Sequence, residues 1–447
     1  MIREKKFYKE FFVLAAALIL EQMVVLSVNL ADNVMLGGYD EIALAGVAAV
    51  NQIQFVLQQI AYGISSGLII LSSQYWGQKR TEPICRLTAS ALLAELVLAS
   101  VLFAVVSIRP EGVVGIFVED AAVIRQGAKY LAIVRFSYFP FVLTAAFLGV
   151  MRSVETVKLA LVSSLVGLVT NCGINFVLIF GRFGAPELGA EGAAIGTLIA
   201  RCLECALVVF YVLKKDKKLQ LRFSQLFTME KGLARDFFRV SSPVALQNGL
   251  WGVANAMQTA ILGHMTVQAM TAYDITSVVY RLLAVAAVGA STAASILIGH
   301  QIGRGDKQGL KKTVNTLQVL FLLVGLLLAG FMLAVRKPLL SVYDIAPETY
   351  ALANRFILIK TLIIFTMSYQ MPVNTGIIRG GGDTRYGVIL DFVSIWCIVL
   401  PVSYFAAFHW GAPPEIVVFC LNADQIFKGI PAAIYGNSCR WAKSLTR

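Results

Sequence analysis

The sequence predicts an all-α polytopic membrane protein, with twelve transmembrane helices in two parallel six-helix repeats around a central cleft. Three observations predict it. The 447 residues are 58% hydrophobic and only 14% charged, where a soluble domain carries about 25% charged residues, and mean hydropathy is +0.74. Apolar stretches of about 20 residues, enough to cross about 30 Å of hydrocarbon, recur from end to end. The chain also repeats itself at a shift of 226 residues.

The twelve spans fall near 11–36, 47–75, 87–108, 121–146, 159–181, 190–213, 238–262, 270–300, 313–335, 347–371, 386–408 and 416–436. The basic-then-apolar start, MIREKKFYKEFFVLAAALIL, imitates a secretion signal. No small-residue cleavage site follows, and the apolar run continues to Leu36, so it reads as span 1. Lys and Arg crowd the loops on the side of the two termini. The opposite loops carry Arg109, Arg182, Arg336 and Lys337. Under the positive-inside rule both termini are cytoplasmic. The net charge of +12 is then a matter of topology, with no nucleic-acid partner implied.

The repeat is carried by particular residues. Phe11 and Phe12 fall on Phe237 and Phe238, Glu21-Gln22 on Gln247-Asn248, Asn29 on Asn255, Asp32 on Gln258 and Gly37 on Gly263. Gly63, Ser65, Ile70, Leu71 and Gly77 meet Gly289, Ser291, Ile296, Leu297 and Gly303. Six spans return the chain to its starting side, so the halves face the same way about an axis along the membrane normal. The expected units are a first bundle at 1–213, a basic linker at 214–236 and a second bundle at 237–447. Such paired bundles suit alternating access, each rocking around a central site.

Several segments carry a family resemblance. ADNVMLGGYDEIALAGVAAV (31–50), SSQYWGQ (72–78), GAEGAAIGTLIAR (189–201), GHQIGRG (299–305) and RGGGDTRYG (379–387) occur in the order and register of a twelve-span double repeat. Together they resemble the MATE (multidrug and toxic compound extrusion) family of cation-coupled efflux transporters, essentially end to end. The resemblance implies a secondary antiporter that exports amphipathic organic cations by alternating access, in exchange for protons or sodium. It implies no enzyme activity and no cofactor beyond the coupling ion H+ or Na+. The expected setting is the inner (cytoplasmic) membrane, and the expected oligomeric state is a monomer in the lipid bilayer.

A charge at bilayer depth is costly, so it marks a pathway or a pair. Asp32 stands where the family's coupling carboxylate stands. Burial disfavours the charged form of a carboxyl group, as proton exchange near neutral pH requires; the competing reading is a structural Asp near Gly37-Gly38. Sodium-coupled relatives add an Asn and an Asp four apart in span 5 and a Thr in span 6. Here these are Asn171, Asn175 and Thr197, with Asn175 replacing the second Asp. Spacing of i and i+4 puts both amides on one helix face, and hard cations want oxygen ligands. The competing reading is interhelical hydrogen bonding. No metal other than sodium at Asp32 is expected.

Glu21, Asn29, Gln247, Asn255 and Asp391 are candidates for the substrate path, though Glu21 could equally pair with an Arg. Met23, Phe55, Trp251 and Met257 are candidate apolar lining. Asp424 and Lys428, and Arg201 and Glu204, are spaced to neutralise one another. Glu95, Arg135, Arg281, Arg355 and Lys360 have no partner legible in the sequence. The alternative function is a lipid-linked precursor flippase, which would use Arg135, Arg281 and Arg355 for a phosphate headgroup. GISSG (63–67) imitates a nucleophile elbow but lies inside a span, where small residues serve close helix packing. His264, His300 and His409 lack zinc-ligand spacing. Cys202 and Cys205 form a C-x-x-C inside a hydrophobic helix, where packing is the simpler role. No Walker A motif is present, so ATP is not the energy source.

Overall fold

The computed structural model describes residues 2, 4–221, 229–263, 265–343 and 345–446. Part of the predicted linker, 222–228, and His264 lie outside the described residues. The described residues form helices and no strand. The long ones, in chain order, are α1 (Lys5–Gly37), α2 (Glu41–Gly77), α3 (Glu82–Ile108), α4 (Ala121–Ser153), α5 (Lys158–Ile179), α6 (Ala190–Lys215), α7 (Lys231–Gly263), α8 (Val267–Gly303), α9 (Lys307–Val342), α10 (Pro347–Ile378), α11 (Thr384–Phe408) and α12, a bent pair of Pro414–Leu421 and Asp424–Ser438. Each predicted span falls on one of these. Among the described residues ten helices are long and apolar enough to cross a membrane, and the bent pair makes eleven. The remaining one, α7, has the length, but Gln247, Asn248, Asn255 and Gln258 dilute its apolar character.

The internal repeat is matched by the helices to the residue. Helices α1 and α7 are both 33 residues long, and α2 and α8 both 37, each pair offset by the same shift as the sequence. At about 1.5 Å per residue these helices exceed the hydrocarbon thickness. The packing boundary and the repeat boundary differ. Residues cluster into one compact unit of Met1–Ile19 with Gly249–Arg447 and another of Leu20–Asn248. In the first, a Cβ on Gly289 would lie 2.5 Å from Ile19 Cγ1. In the second, a Cβ on Gly63 would lie 2.4 Å from Ala245 Cα. These are the same contact in the two repeats, so the initial part of α1 packs with the second half of the chain, and the initial part of α7 packs with the first. Gly63 and Gly67 of the GISSG segment therefore serve close approach of α7 to α2.

Where α4, α10 and α12 depart from regularity, a residue explains it. Pro140 has no N–H and its ring crowds the carbonyl one turn earlier. The chain tightens into a 3-10 turn at Arg135–Ser137 inside α4. Pro372 likewise opens a π-helical stretch at Pro372–Ile378 in α10. Span 12, expected to be continuous, bends by 43° between Leu421 and Asp424. There Asn422 donates its side-chain N–H back to the Val418 carbonyl (2.9 Å), giving the chain a local alternative to the helical ladder. Asp40 caps α2 by accepting from the Ile42 and Ala43 amides. The core of the second unit includes Leu36, Val50, Leu57, Tyr130 and Leu131; that of the first includes Met332, Phe356, Ile357 and Val417. Exposed Val169, Leu326, Leu327 and Ile434 form the apolar outside that lipid would cover.

Candidate functional site

The four residues expected at the cation site form one hydrogen-bonded chain. Asp32 lies inside α1, five residues before its last residue, Gly37. Its Oδ1 accepts from Asn175 Nδ2 of α5 at 2.6 Å. Asn175 Nδ2 also donates to Asn171 Oδ1 (3.3 Å), and Asn171 Nδ2 donates to Thr197 Oγ1 of α6 (3.4 Å). Asn171 and Asn175 are fully buried, one helical turn apart. Three helices are thus tied through a single carboxylate and two amides.

Glycines make the room. A Cβ on Gly196 of α6 would sit 2.0 Å from Asn175 Oδ1, and one on Gly192 would sit 2.8 Å from the Leu178 backbone. On α5, a Cβ on Gly167 would sit 1.8 Å from Glu204 Oε1. The small residues of GAEGAAIGTLIAR therefore let α5 and α6 close around polar side chains.

The site extends beyond the residues named from sequence. Tyr130 of α4 places its hydroxyl beside Thr197 and Gln54 and within the field of Asp32. Arg201 of α6 faces Asp32, pairs with Glu204 at 2.9 Å and lies over the Phe141 ring. Sequence reasoning missed Tyr130 and Gln54 here. The available signal was a polar residue in each of two apolar spans, but its direction depends on how α2 and α4 are rotated.

The candidates for the substrate path differ in their surroundings. Glu21 is buried and pairs with Arg152, so of its two readings the pairing is the observed geometry. Asn29 and Asn255 are exposed, while Gln247 is buried. Asp391 forms an ion pair with Lys428 at 2.7 Å. Met23, Trp251 and Met257 are exposed and Phe55 is partly so. The spacing-based pairs are present: Arg201 with Glu204, and Lys428 with Asp424 at 2.8 Å.

Four of the five unassigned charges now have surroundings. Arg355 pairs with Glu415. Arg135 donates to Ser107 Oγ at 2.9 Å and lies against the Phe103 and Phe136 rings. Lys360 donates to Ser277 Oγ (2.6 Å) and the Tyr273 carbonyl (3.2 Å), with its ammonium 3.8 Å from the Tyr273 ring centroid. Glu95 is fully buried with Ser65 Oγ at 3.1 Å, and the same hydroxyl lies 3.1 Å from the Ala145 carbonyl. Ser65 has one proton for two acceptors, and no cation pairs with Glu95 among the described residues. An uncharged group of the same shape should therefore serve there. Glu95→Gln is expected to keep the thermal midpoint of the purified protein within about 2 °C. Glu95→Ala should lower it by clearly more, because it leaves a buried void. Severe destabilisation by Gln alone would show that the carboxylate charge is needed.

Known proteins supply the remaining comparison. The MatE family model matches residues 17–177 and 243–405, once in each repeat. The probable multidrug resistance protein NorM of Thermotoga maritima is 24% identical over 443 residues, covering 97% of this chain and 93% of that protein. The uncharacterized transporter YisQ of Bacillus subtilis is 24% identical over 404 residues, covering 90% and 88%. Among solved structures, an aspartate-to-asparagine mutant of the Vibrio cholerae MATE transporter VcmN superposes with a TM-score of 0.87 at 18% identity, covering 98% of each chain; at that identity the likeness establishes the fold alone. With both halves matched by the family model on a twelve-helix double repeat, the chain belongs to the MatE family of multi-pass membrane transporters.

Proposed function

We propose that this transporter is a secondary antiporter that exports amphipathic organic cations in exchange for protons or sodium. The observation that carries the proposal is the tie from Asp32 through Asn175 and Asn171 to Thr197. A carboxylate that accepts an amide N–H makes a charge-assisted hydrogen bond, stronger than a neutral one. A proton or a sodium ion arriving at Asp32 neutralises it and weakens that bond, loosening α1 from α5. The donor set suits either ion, since Asp32, Thr197 and the two amides offer oxygens. A second carboxylate, which would tighten a sodium site, is replaced by Asn175. The likeness to the Thermotoga relative, a probable multidrug resistance protein, supports drugs as the substrate class.

In this reading the protein works as a monomer in the inner membrane with both termini in the cytoplasm. Substrate enters from inside, and cation binding at Asp32 from outside lowers substrate affinity as the halves alternate in access. The flippase alternative would draw on Arg135, Arg281 and Arg355, of which Arg355 is already paired with Glu415 and Arg135 is bonded to Ser107. The test is dye efflux from proteoliposomes of the full chain, first under a pH gradient and then under a sodium gradient. Efflux driven by at least one gradient is expected. Lipid scrambling without dye efflux under either gradient would overturn the proposal.

A further inference from the structure

We infer that Lys428 is a tethered counter-cation: its ammonium occupies a monovalent-cation site built into the second half of the chain. Lys428 lies on α12, is 3% exposed, and bridges two carboxylates, Asp391 Oδ1 of α11 at 2.7 Å and Asp424 Oδ2 of α12 at 2.8 Å. Behind Asp424 runs a directed chain of amides. Asn374 Nδ2 donates to Gln370 Oε1 (2.9 Å), Gln370 Nε2 to Gln425 Oε1 (2.6 Å), and Gln425 Nε2 to Asp424 Oδ2 (2.8 Å). Every donor along it points toward the carboxylate, as Asn175 points toward Asp32. Asn374 is 6% exposed and its Oδ1 has no hydrogen-bond partner among the described residues, so a buried acceptor oxygen remains at the far end of this chain.

The two sites differ in charge balance. Around Asp391 and Asp424 stand Lys428 and Arg379, the latter facing Asp391. Among the described residues, two anions there meet at least two cations. Beside Asp32 stands Arg201, itself paired with Glu204, so among the described residues two anions there share one cation. The first half is built to take one monovalent cation from outside, and the second is already neutralised from within. A charge retained at bilayer depth at such cost is expected to have a role, and here that role is to keep a second site closed to exchange. The contrast with Asp32 rests on the function proposed above; the latent site itself does not.

The experiment is therefore done in the Asp32→Asn background, where the first site is silent, and it reads binding, not transport. The full chain in detergent is titrated with sodium chloride and with ethylammonium chloride, the amine that replaces the lost lysine tip, against choline chloride as control. With Lys428 intact, neither cation should move the thermal midpoint beyond choline. With Lys428→Ala, ethylammonium or sodium should raise it saturably by at least about 2 °C, and adding Asp391→Asn should remove the response. No response in Lys428→Ala, or an equal response with Lys428 intact, overturns the inference. If Lys428→Ala does not fold, the charge-balanced Lys428→Ala/Asp424→Asn decides. Its folding supports a missing cation as the fault, whereas equal failure of both makes Lys428 a packing staple and overturns the proposal.

Discussion

Replacing Asp32 by asparagine should abolish gradient-driven efflux while leaving the protein folded. The amide keeps the shape of the carboxylate, and its carbonyl can still accept from Asn175, whose N–H now lies 2.6 Å from Asp32 Oδ1. What it loses is the charge that a proton or sodium ion would neutralise. A one-for-one exchange against one pH unit sustains a substrate ratio of about tenfold, since one unit is worth 1.36 kcal/mol. Without a titrating group that ratio should fall to one. The measurement is dye accumulation in proteoliposomes under a pH gradient and a sodium gradient, beside a thermal scan of the same preparation. A folded Asp32→Asn protein that still concentrates dye under either gradient would remove Asp32 from the mechanism.

Gly196→Ala should produce a comparable loss without altering any charge. The added methyl would lie 2.0 Å from Asn175 Oδ1 and 3.1 Å from its Cγ. That is well inside van der Waals contact, so the amide must turn or α6 must move. Turning the amide breaks the tie between Asp32 and Asn175, and moving α6 breaks the tie between Asn171 and Thr197. Alanine favours a helix over glycine by about 1 kcal/mol, but overpacking a tight interior costs about 1–3 kcal/mol. The net stability change is therefore small, and the transport defect should exceed it. Gly192→Ala is the control, because its methyl meets the Leu178 backbone and leaves Asn175 alone. Coupled efflux should fall at least about tenfold in Gly196→Ala and less in Gly192→Ala. The reverse order would mean that spacing of α5 and α6 matters and the amide does not.

The architecture was readable because it rests on patterns along one strand of text. Apolar length marks the spans, the 226-residue shift marks the repeat, and matched pairs such as Lys5–Gly37 with Lys231–Gly263 follow it to the residue. The cluster of Asp32, Asn171, Asn175 and Thr197 was legible through the family resemblance, with the i, i+4 spacing placing the two amides on one helix face. Pairs within one helix, Arg201 with Glu204 and Asp424 with Lys428, needed no more than that spacing.

Contacts across helices were a different matter. Glu21 finds Arg152 at a separation of 131 residues, Lys428 reaches Asp391 on the preceding helix, and Tyr130 joins Thr197 and Gln54. Each depends on how a helix is rotated and tilted against its neighbour, and helical periodicity says nothing about that. The same holds for the bend at Asn422 and for the exchange of the initial parts of α1 and α7 between compact units. Period tells which residues share a face; only packing in three dimensions tells which faces meet, because small residues such as Gly63, Gly167 and Gly196 set the approach that side chains then have to satisfy.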